Sequence, residues 1–190
     1  MIIRKAILED SDAIATYLLL AMEDIVCEFI GQNDPKKAKE FLLHFVQKEN
    51  NQYSYQNCFV VEGDHQIIAA VNIYDGSELK RLRAPIIQYI ETHFSKVFNP
   101  EDETQPGEFY IDSLGVNPNH QGKGIGAKLL QFLIHYYVTQ NDKAIGLLVE
   151  ESNPNAKRLY LKLGFEPVGE IMLVGNKLLH LQVKPKSITS

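Results

Sequence analysis

Two stretches of this chain hold residue types whose spacing suits chemistry. The first is Gln121-Gly122-Lys123-Gly124-Ile125-Gly126. Glycines at alternate positions leave the backbone bare, so consecutive N–H groups can turn onto an anion with no Cβ in the way. A helical run follows at 127–138, and the first N–H groups of a helix lack internal partners while its dipole is positive at that end. A pyrophosphate is the natural guest of such a turn, with Lys123 adding a positive charge. The second stretch runs from Asn153 to Phe165 and contains Asn153, Ala156, Tyr160, Gly164 and Phe165. On a helix Ala156 and Tyr160 share a face four residues apart, and the small Ala156 leaves room for something to lie against it. Asn153, at a strand end, offers its amide to a passing amide-rich ligand, and Gly164 stops the helix.

A strand at 108–116 leads into the glycine turn. Within it, Asp112 is the carboxylate best placed to act as a base, and simple alternation puts it on one face with Tyr110 and Leu114. A carboxylate among apolar neighbours has a raised pKa and can accept a proton directly or through water. Glu108, Glu28 or a water chain are the alternatives for that role. His120, Lys157 and Arg158 lie close enough to the two motifs to meet phosphate, but solvated positions explain them as well.

The rest of the chain reads as a scaffold for these groups. Period-two and period-3.6 patterns predict a first strand at 1–6, and a helix after Asp10-Ser11-Asp12 with the stripe Ile14, Leu18, Met22, Ile25 and Phe29. A second helix follows Asn33-Asp34-Pro35, and strands at 58–62 and 67–74 form a hairpin turned at Gly63-Asp64. Residues 75–107 break the rhythm with Lys80, Arg81 and Arg83, a short helix at 85–94 and an acidic loop at 99–107. They read as an insertion, either a specificity element or a surface excursion. After the glycine turn come a strand at 144–150, a helix at 155–163 and strands at 166–174 and 177–183, with Gly175-Asn176 as the last hairpin turn and a frayed tail from Lys184.

At 190 residues and 45% hydrophobic content, one globular domain with a sizeable core is expected. The net charge of -5 disfavours broad nucleic-acid binding, and an acidic balance suits a cationic amine no better than it suits ordinary solubility. No window approaches the roughly 18 apolar residues of a membrane span, and Arg4 and Lys5 come too early for a secretory signal, so a cytoplasmic protein is expected. Cys27 and Cys58 lack metal-ligand or disulfide spacing and read as buried small hydrophobes, and no histidine pair suggests a metal.

Together the two motifs resemble the GNAT superfamily of N-acetyltransferases. In that family a Gln/Arg-x-x-Gly-x-Gly/Ala turn precedes an Asn-x-x-Ala-x-x-x-Tyr helix ending in Gly-Phe; Gln121, Gly124 and Gly126 match the first pattern, and Asn153, Ala156, Tyr160, Gly164 and Phe165 the second. The resemblance covers most of the chain and leaves 75–107 outside the minimal pattern. It implies an α/β (α+β) single domain over residues 1–184: a mixed, mostly antiparallel sheet flanked by helices, with a parallel strand pair splayed at the cofactor site. It also implies acetyl-CoA as co-substrate, while the scattered histidines give no indication of a metal. The pantetheine arm is expected between the strands at 108–116 and 144–150, with main-chain groups around Leu114, Gly115 and Val116 holding it. The pyrophosphate is expected on Gln121, Gly122, Lys123, Gly124, Ile125 and Gly126, with Asn153, Ala156 and Tyr160 alongside and Tyr160 hydrogen-bonding the departing sulfur. The acceptor is an unidentified small-molecule or peptide amine, and a homodimer is left open. Two rival readings are a non-catalytic acyl-CoA sensor and a dinucleotide-binding oxidoreductase, the latter from Gly122-x-Gly124-x-x-Ala127. The dinucleotide reading is disfavoured by residues 117–121, which separate strand from turn, and by the shortage of preceding parallel strands. A P-loop fails because Gly124 stands where Ser or Thr is needed.

Overall fold

The computed structural model describes residues 1–173 and 176–186. Seven strands form one sheet in the order β1-β2-β3-β4-β5-β7-β6. They are β1 (Ile2–Lys5), β2 (Cys58–Gly63), β3 (Gln66–Asp75), β4 (Glu108–Val116), β5 (Ala144–Glu150), β6 (Glu166–Leu173) and β7 (Asn176–Val183). Only β4 and β5 pair in parallel; every other neighbouring pair is antiparallel. The expected mixed, mostly antiparallel α/β sheet is what the chain forms.

Helices cover both faces. On one side lie α1 (Ser11–Ile30), α2 (Pro35–Val46) and α3 (Leu79–Phe94), whose apolar stripes pack with Cys58, Val60 and Ala70 of β2 and β3. On the other lies α4 (Ile125–Leu133), which runs into a π-helical stretch, Ile134–Gln140, together with α5 (Pro154–Lys162). Val61, Ala69, Val71, Ile73 and Ile111 point to that side and meet Ile125, Leu129, Leu130 and Leu133. Alternation along β3 therefore divides the core into two layers, as period-two patterning requires.

Several expected boundaries shift, each for a local reason. The β2–β3 turn is at Asp64-His65, both with positive φ (53° and 61°), the sign pattern of a type I′ turn, so Gly63 stays in β2. Helix α3 begins six residues before Pro85: its buried stripe of Leu79, Leu82, Arg83, Ile86 and Ile90 starts earlier, and the proline is accommodated inside it. Helix α4 begins at Ile125, so the last residues of the glycine turn already belong to its first turn. Gly175, half of the expected last hairpin turn, lies outside the described residues, as do Val174 and residues 187–190 of the expected tail.

Helix α1 kinks at Met22, whose φ and ψ of -143° and 25° are not helical. Neither Gly nor Pro lies within the helix to explain the kink. Its effect is to turn the stripe: Val26, Cys27 and Ile30 continue into the core, Phe29 packs half-buried against it while also bordering a cavity, and Ile25, expected inside, is exposed along that cavity. Both cysteines are free and buried. Among the described residues no helix is long and apolar enough to cross a membrane, and no group of three or more His, Cys, Asp or Glu could hold a metal ion.

Candidate active site

Pairing between β4 and β5 runs from Glu108↔Ala144 to Ile111↔Leu147 and stops. Beyond it β5 stays paired to β7 as far as Glu150↔Leu178, and β4 stays paired to β3 as far as Val116↔Ala69. The two parallel strands therefore diverge, and the main-chain groups on the β5-facing edge of β4 after Ile111 lack a strand partner. A cleft of about 600 Å³ occupies the gap, lined by Asp112, Leu114, Gly126, Asn153, Ala156 and Tyr160 among others. Gly126 of the first motif and Asn153, Ala156 and Tyr160 of the second, far apart in sequence, thus face one cavity, whereas Gln121 to Ile125 are not in its lining.

At one end of the cleft stands the glycine turn. Gly122 and Gly124 both have φ of +74°, a conformation that L side chains rarely adopt, and Gly124 caps α4 with no side-chain hydrogen bond. The first N–H groups of α4 are left without a side-chain cap. By contrast α5 is capped from within, because Asn153 Oδ1 accepts from the Ala156 N–H at 3.1 Å. Asn153 thus uses its carbonyl oxygen on its own helix and keeps only its Nδ2 side for a ligand. Lys123 is exposed, its ammonium donating to the Asn119 carbonyl at 3.0 Å, and Gln121 donates to the Val116 carbonyl at 3.2 Å. His120 is half-buried, not a solvated loop residue. Gly115 has a structural reason to be glycine, since a Cβ there would run into the Tyr17 carbonyl of α1. Val116 and Leu114 pack toward α4.

Leu114 does not share a face with Tyr110 and Asp112. Asn72 pairs with Ser113 and the next residue, Ile73, with Ile111, so Asp112 is the extra residue of a β-bulge. Alternation restarts one residue later: Phe109 and Ile111 face α4 before the bulge, Leu114 and Val116 after it, while Tyr110 packs with Tyr74, Leu79 and Leu82. Sequence alternation alone cannot foresee an inserted residue.

Asp112 sits in a network that the sequence hides. Its Oδ2 accepts from Gln52 Nε2 at 2.6 Å and from the Tyr74 hydroxyl at 3.0 Å. Gln52 Nε2 also lies 3.2 Å from Glu103 Oε1, and Gln52 Oε1 accepts from Arg83 Nε at 3.2 Å. Arg83 Nη2 donates to both oxygens of Glu103, and Nη1 to the Glu101 carbonyl at 3.0 Å. Arg83 and Glu103 are each 7% exposed. Burial pushes the carboxyls of both Glu103 and Asp112 up; Arg83 pulls Glu103 back, and the bonds from Gln52 and Tyr74 pull Asp112 back. Burial, reinforced by the charges of Asp112 and Glu103, holds the hydroxyls of Tyr53, Tyr74 and Tyr110 well above the tyrosine range.

Arg83 is therefore not part of a surface basic patch. Its place in the apolar stripe of α3 was the available signal, since a charge among helical core positions implies a buried partner. Nothing in Glu101-Asp102-Glu103 singles out Glu103, and Gln52 gives no sequence signal at all. Glu108 does not line the cleft: its Oε2 lies 2.9 Å from His180 Nε2 and accepts from Gln182 at 2.6 Å, at the paired start of β4. Glu28 is exposed and lines a neighbouring cavity of about 360 Å³ with Glu23, Asp24 and Glu150. Lys157 is half-buried on α5 and Arg158 exposed.

Tyr160 is half-buried on α5, and its ring centroid is 5.8 Å from that of Phe165. Burial raises its hydroxyl above the ordinary tyrosine value, so it remains a proton donor at neutral pH. No hydrogen-bond partner for that hydroxyl occurs among the described residues.

A sheet splayed at its one parallel pair, with an uncapped helix N-terminus at the opening, defines an acyl-CoA-type transferase scaffold. The acetyltransferase (GNAT) family model matches residues 19–165, and the chain belongs to that family. It is similar to the spermine/spermidine N(1)-acetyltransferase of Bacillus subtilis (strain 168), with 34% identity over 80 residues, 42% of this chain and 53% of that protein. It also resembles the N-alpha-acetyltransferase RimI of Mycobacterium tuberculosis, with 36% identity over 66 residues, 35% of this chain and 40% of that protein. The matches thus span about half the length of these curated relatives or less. Among solved structures, a crystal structure of an acetyltransferase superposes with a TM-score of 0.82 at 28% identity, covering 98% of this chain and 100% of that one. An N-acetyltransferase from Staphylococcus aureus Mu50 shares the fold at a TM-score of 0.82 and 21% identity, over 96% of this chain and 100% of that one.

Proposed function

We propose that residues 1–184 form one N-acetyltransferase domain that moves the acetyl group of acetyl-CoA onto a primary amine by direct attack. The observation that carries this reading is the cleft itself, where Asp112, Tyr160 and the N-terminal turn of α4 line one cavity opened by the strand divergence. The residues present fit acetyl-CoA: the amides around Gly122 to Gly126 suit its pyrophosphate, unpaired main-chain groups of β4 suit its amide-rich arm, and the small Ala156 leaves room beside it. When bound, acetyl-CoA supplies an activated thioester.

The chain's own residues then have two proton tasks. An alkylammonium with a pKa near ~10.4 costs roughly 4–5 kcal/mol to deprotonate at pH 7. Asp112 takes that proton, its raised pKa making it a better acceptor than an ordinary carboxylate. As the nitrogen–carbon bond forms and the carbon–sulfur bond breaks, Tyr160 donates a hydrogen bond to the sulfur, and the second proton lost by the nitrogen neutralises the departing thiolate. A thiol near ~8.5 is more acidic than tyrosine near ~10, so full proton transfer is uphill by roughly 2 kcal/mol and stabilisation of developing charge is the main contribution. Neither Cys27 nor Cys58 is among the described residues lining the cleft, and direct attack by the amine requires no acyl-enzyme.

CoA-thiol release with an amine panel tests the activity. Tyr160→Phe should lower turnover about 10- to 100-fold while the KM for acetyl-CoA changes little, because the lost bond acts on charge that appears only in the transition state. Unchanged turnover across every accepted amine would remove Tyr160 from the mechanism.

A further inference from the structure

Beside the reacting end of the cleft lies a smaller cavity of about 110 Å³, and the two share Asp112, Tyr110, Ala21, Ile25 and Leu173. Its walls are largely apolar: Met22, Ile25 and Phe29 at and beyond the kink of α1, Ile86 of α3 and Phe98 on the loop after α3, completed by Tyr53, Tyr110 of β4 and Leu173 of β6. Phe29 and Phe98 meet edge to face with centroids 4.5 Å apart, closing one side. Polar groups are concentrated in the network of Gln52, Arg83, Glu103 and Asp112.

That network has one opening for a nitrogen. Two carboxylates face one guanidinium, so with both ionised it carries one excess negative charge and calls for a cation. Glu103 is taken, with both oxygens on Arg83 and Oε1 also near Gln52. Asp112 has only Oδ2 occupied, by Gln52 and Tyr74; for Oδ1 no hydrogen-bond partner occurs among the described residues. One amine group is therefore accommodated at Asp112, and what it is attached to extends among aromatic and aliphatic side chains. A second ammonium on that stem would be desolvated without a partner. The carboxylates of Glu23, Asp24, Glu28 and Glu150 line the adjoining cavity, which shares Ala21, Met22, Ile25 and Leu173 with this one, but none of them lines the pocket itself, so a stem lying among Phe29, Ile86 and Phe98 does not meet them.

Resting on the acetyltransferase reading above, we infer that the acceptor is a monoamine on a short uncharged stem, arylalkyl or aliphatic, held by the pocket that α1, α3 and the loop bearing Phe98 build beside Asp112. Residues 75–107 then act as the specificity element, since they supply Ile86 and Phe98 to the wall and Arg83 and Glu103 to the floor.

The test uses the full chain with acetyl-CoA and follows CoA-thiol release with 2-phenylethylamine, n-pentylamine, methylamine, putrescine and spermidine. Values of kcat/KM for the two longer monoamines should exceed those for putrescine and spermidine about tenfold or more. Phe98→Ala, on a loop and outside the central core, should shrink the margin of 2-phenylethylamine over methylamine about tenfold. Without acetyl-CoA, 2-phenylethylamine should raise the melting temperature and spermidine should not. Spermidine or putrescine turned over as well as the monoamines, or an unchanged margin in Phe98→Ala, overturns the inference and leaves the acetyltransferase reading standing. Acetyl-CoA binding with no turnover of any amine overturns both.

Discussion

Replacing Arg83 by Met tests the buried network most directly. The guanidinium makes hydrogen bonds to both Glu103 oxygens, to Gln52 Oε1 and to the Glu101 carbonyl, and it is the counter-charge for a carboxylate that is 7% exposed. Its loss leaves an uncompensated buried charge, which costs about 3–5 kcal/mol. For a chain of this length that is a fall in Tm of about 6–20 °C. The double variant Arg83→Met/Glu103→Leu removes the charge along with its partner and should recover at least half of the loss, because buried pairs replaced by apolar groups are often neutral. Urea denaturation of the three proteins at pH 5, 6.5 and 8 measures this. The pH sign follows from linkage. In wild type the Glu103 carboxyl is already raised by burial, and without Arg83 it rises further above its unfolded value. The folded single variant then binds more protons than the unfolded chain between those two values, so its stability falls as pH rises. Its deficit should therefore be smallest at pH 5 and grow toward pH 8. A deficit below about 1 kcal/mol, a double variant no better than the single, or a pH-independent deficit would refute the assignment of this pair as a mutually dependent buried unit.

Two further outcomes are expected. Asp112→Asn keeps an acceptor for Gln52 and Tyr74 but removes the proposed base, so turnover should drop about 10²- to 10⁴-fold in steady-state assays. Because burial raises the Asp112 carboxyl, wild-type stability from this group declines as pH rises through the window above the ordinary carboxylate value, and the variant should be the more stable protein above that window and equal below it; pH-dependent denaturation reads this, and a less stable variant at pH 8 contradicts it. Gly124→Ala meets no neighbouring atom but must hold φ at +74°, so it should cost about 1–2 kcal/mol in denaturation and raise the KM for acetyl-CoA; an unchanged KM would separate this turn from the pyrophosphate.

The parts of this molecule that were legible in its sequence are those governed by local periodicity and glycine chemistry. The span of β5, the α4 turn with its positive-φ glycines and the α5 segment carrying Ala156 and Tyr160 follow from patterns a few residues long. The buried network around Asp112 was not legible, because its parts are joined only by the fold: Gln52 from a loop, Tyr74 from β3, Arg83 from α3, Glu103 from the loop before β4. The kink at Met22 and the bulge at Asp112 leave no local mark either, since neither uses Gly or Pro, and both redirected residues that simple periodicity had assigned to the wrong face.

The bulge also divides β4 into two pieces with independent tasks. Residues up to Ile111 are held between strands on both sides, and those after Asp112 have a strand neighbour on one side only. Because the extra residue reverses which side chains look which way, the charged group stands at the hinge between a length of strand that secures the sheet and a length that faces the cleft. Deleting that single position would remove the carboxylate and make the pairs Ile73–Ile111 and Asn72–Ser113 consecutive, leaving Leu114 and Val116 on the α4 face, whereas a further inserted residue would turn the far half of the strand over and carry both away from α4. The carboxylate thus rides on a position that the strand does not need for its register, and an insertion here should be far less tolerated than a deletion.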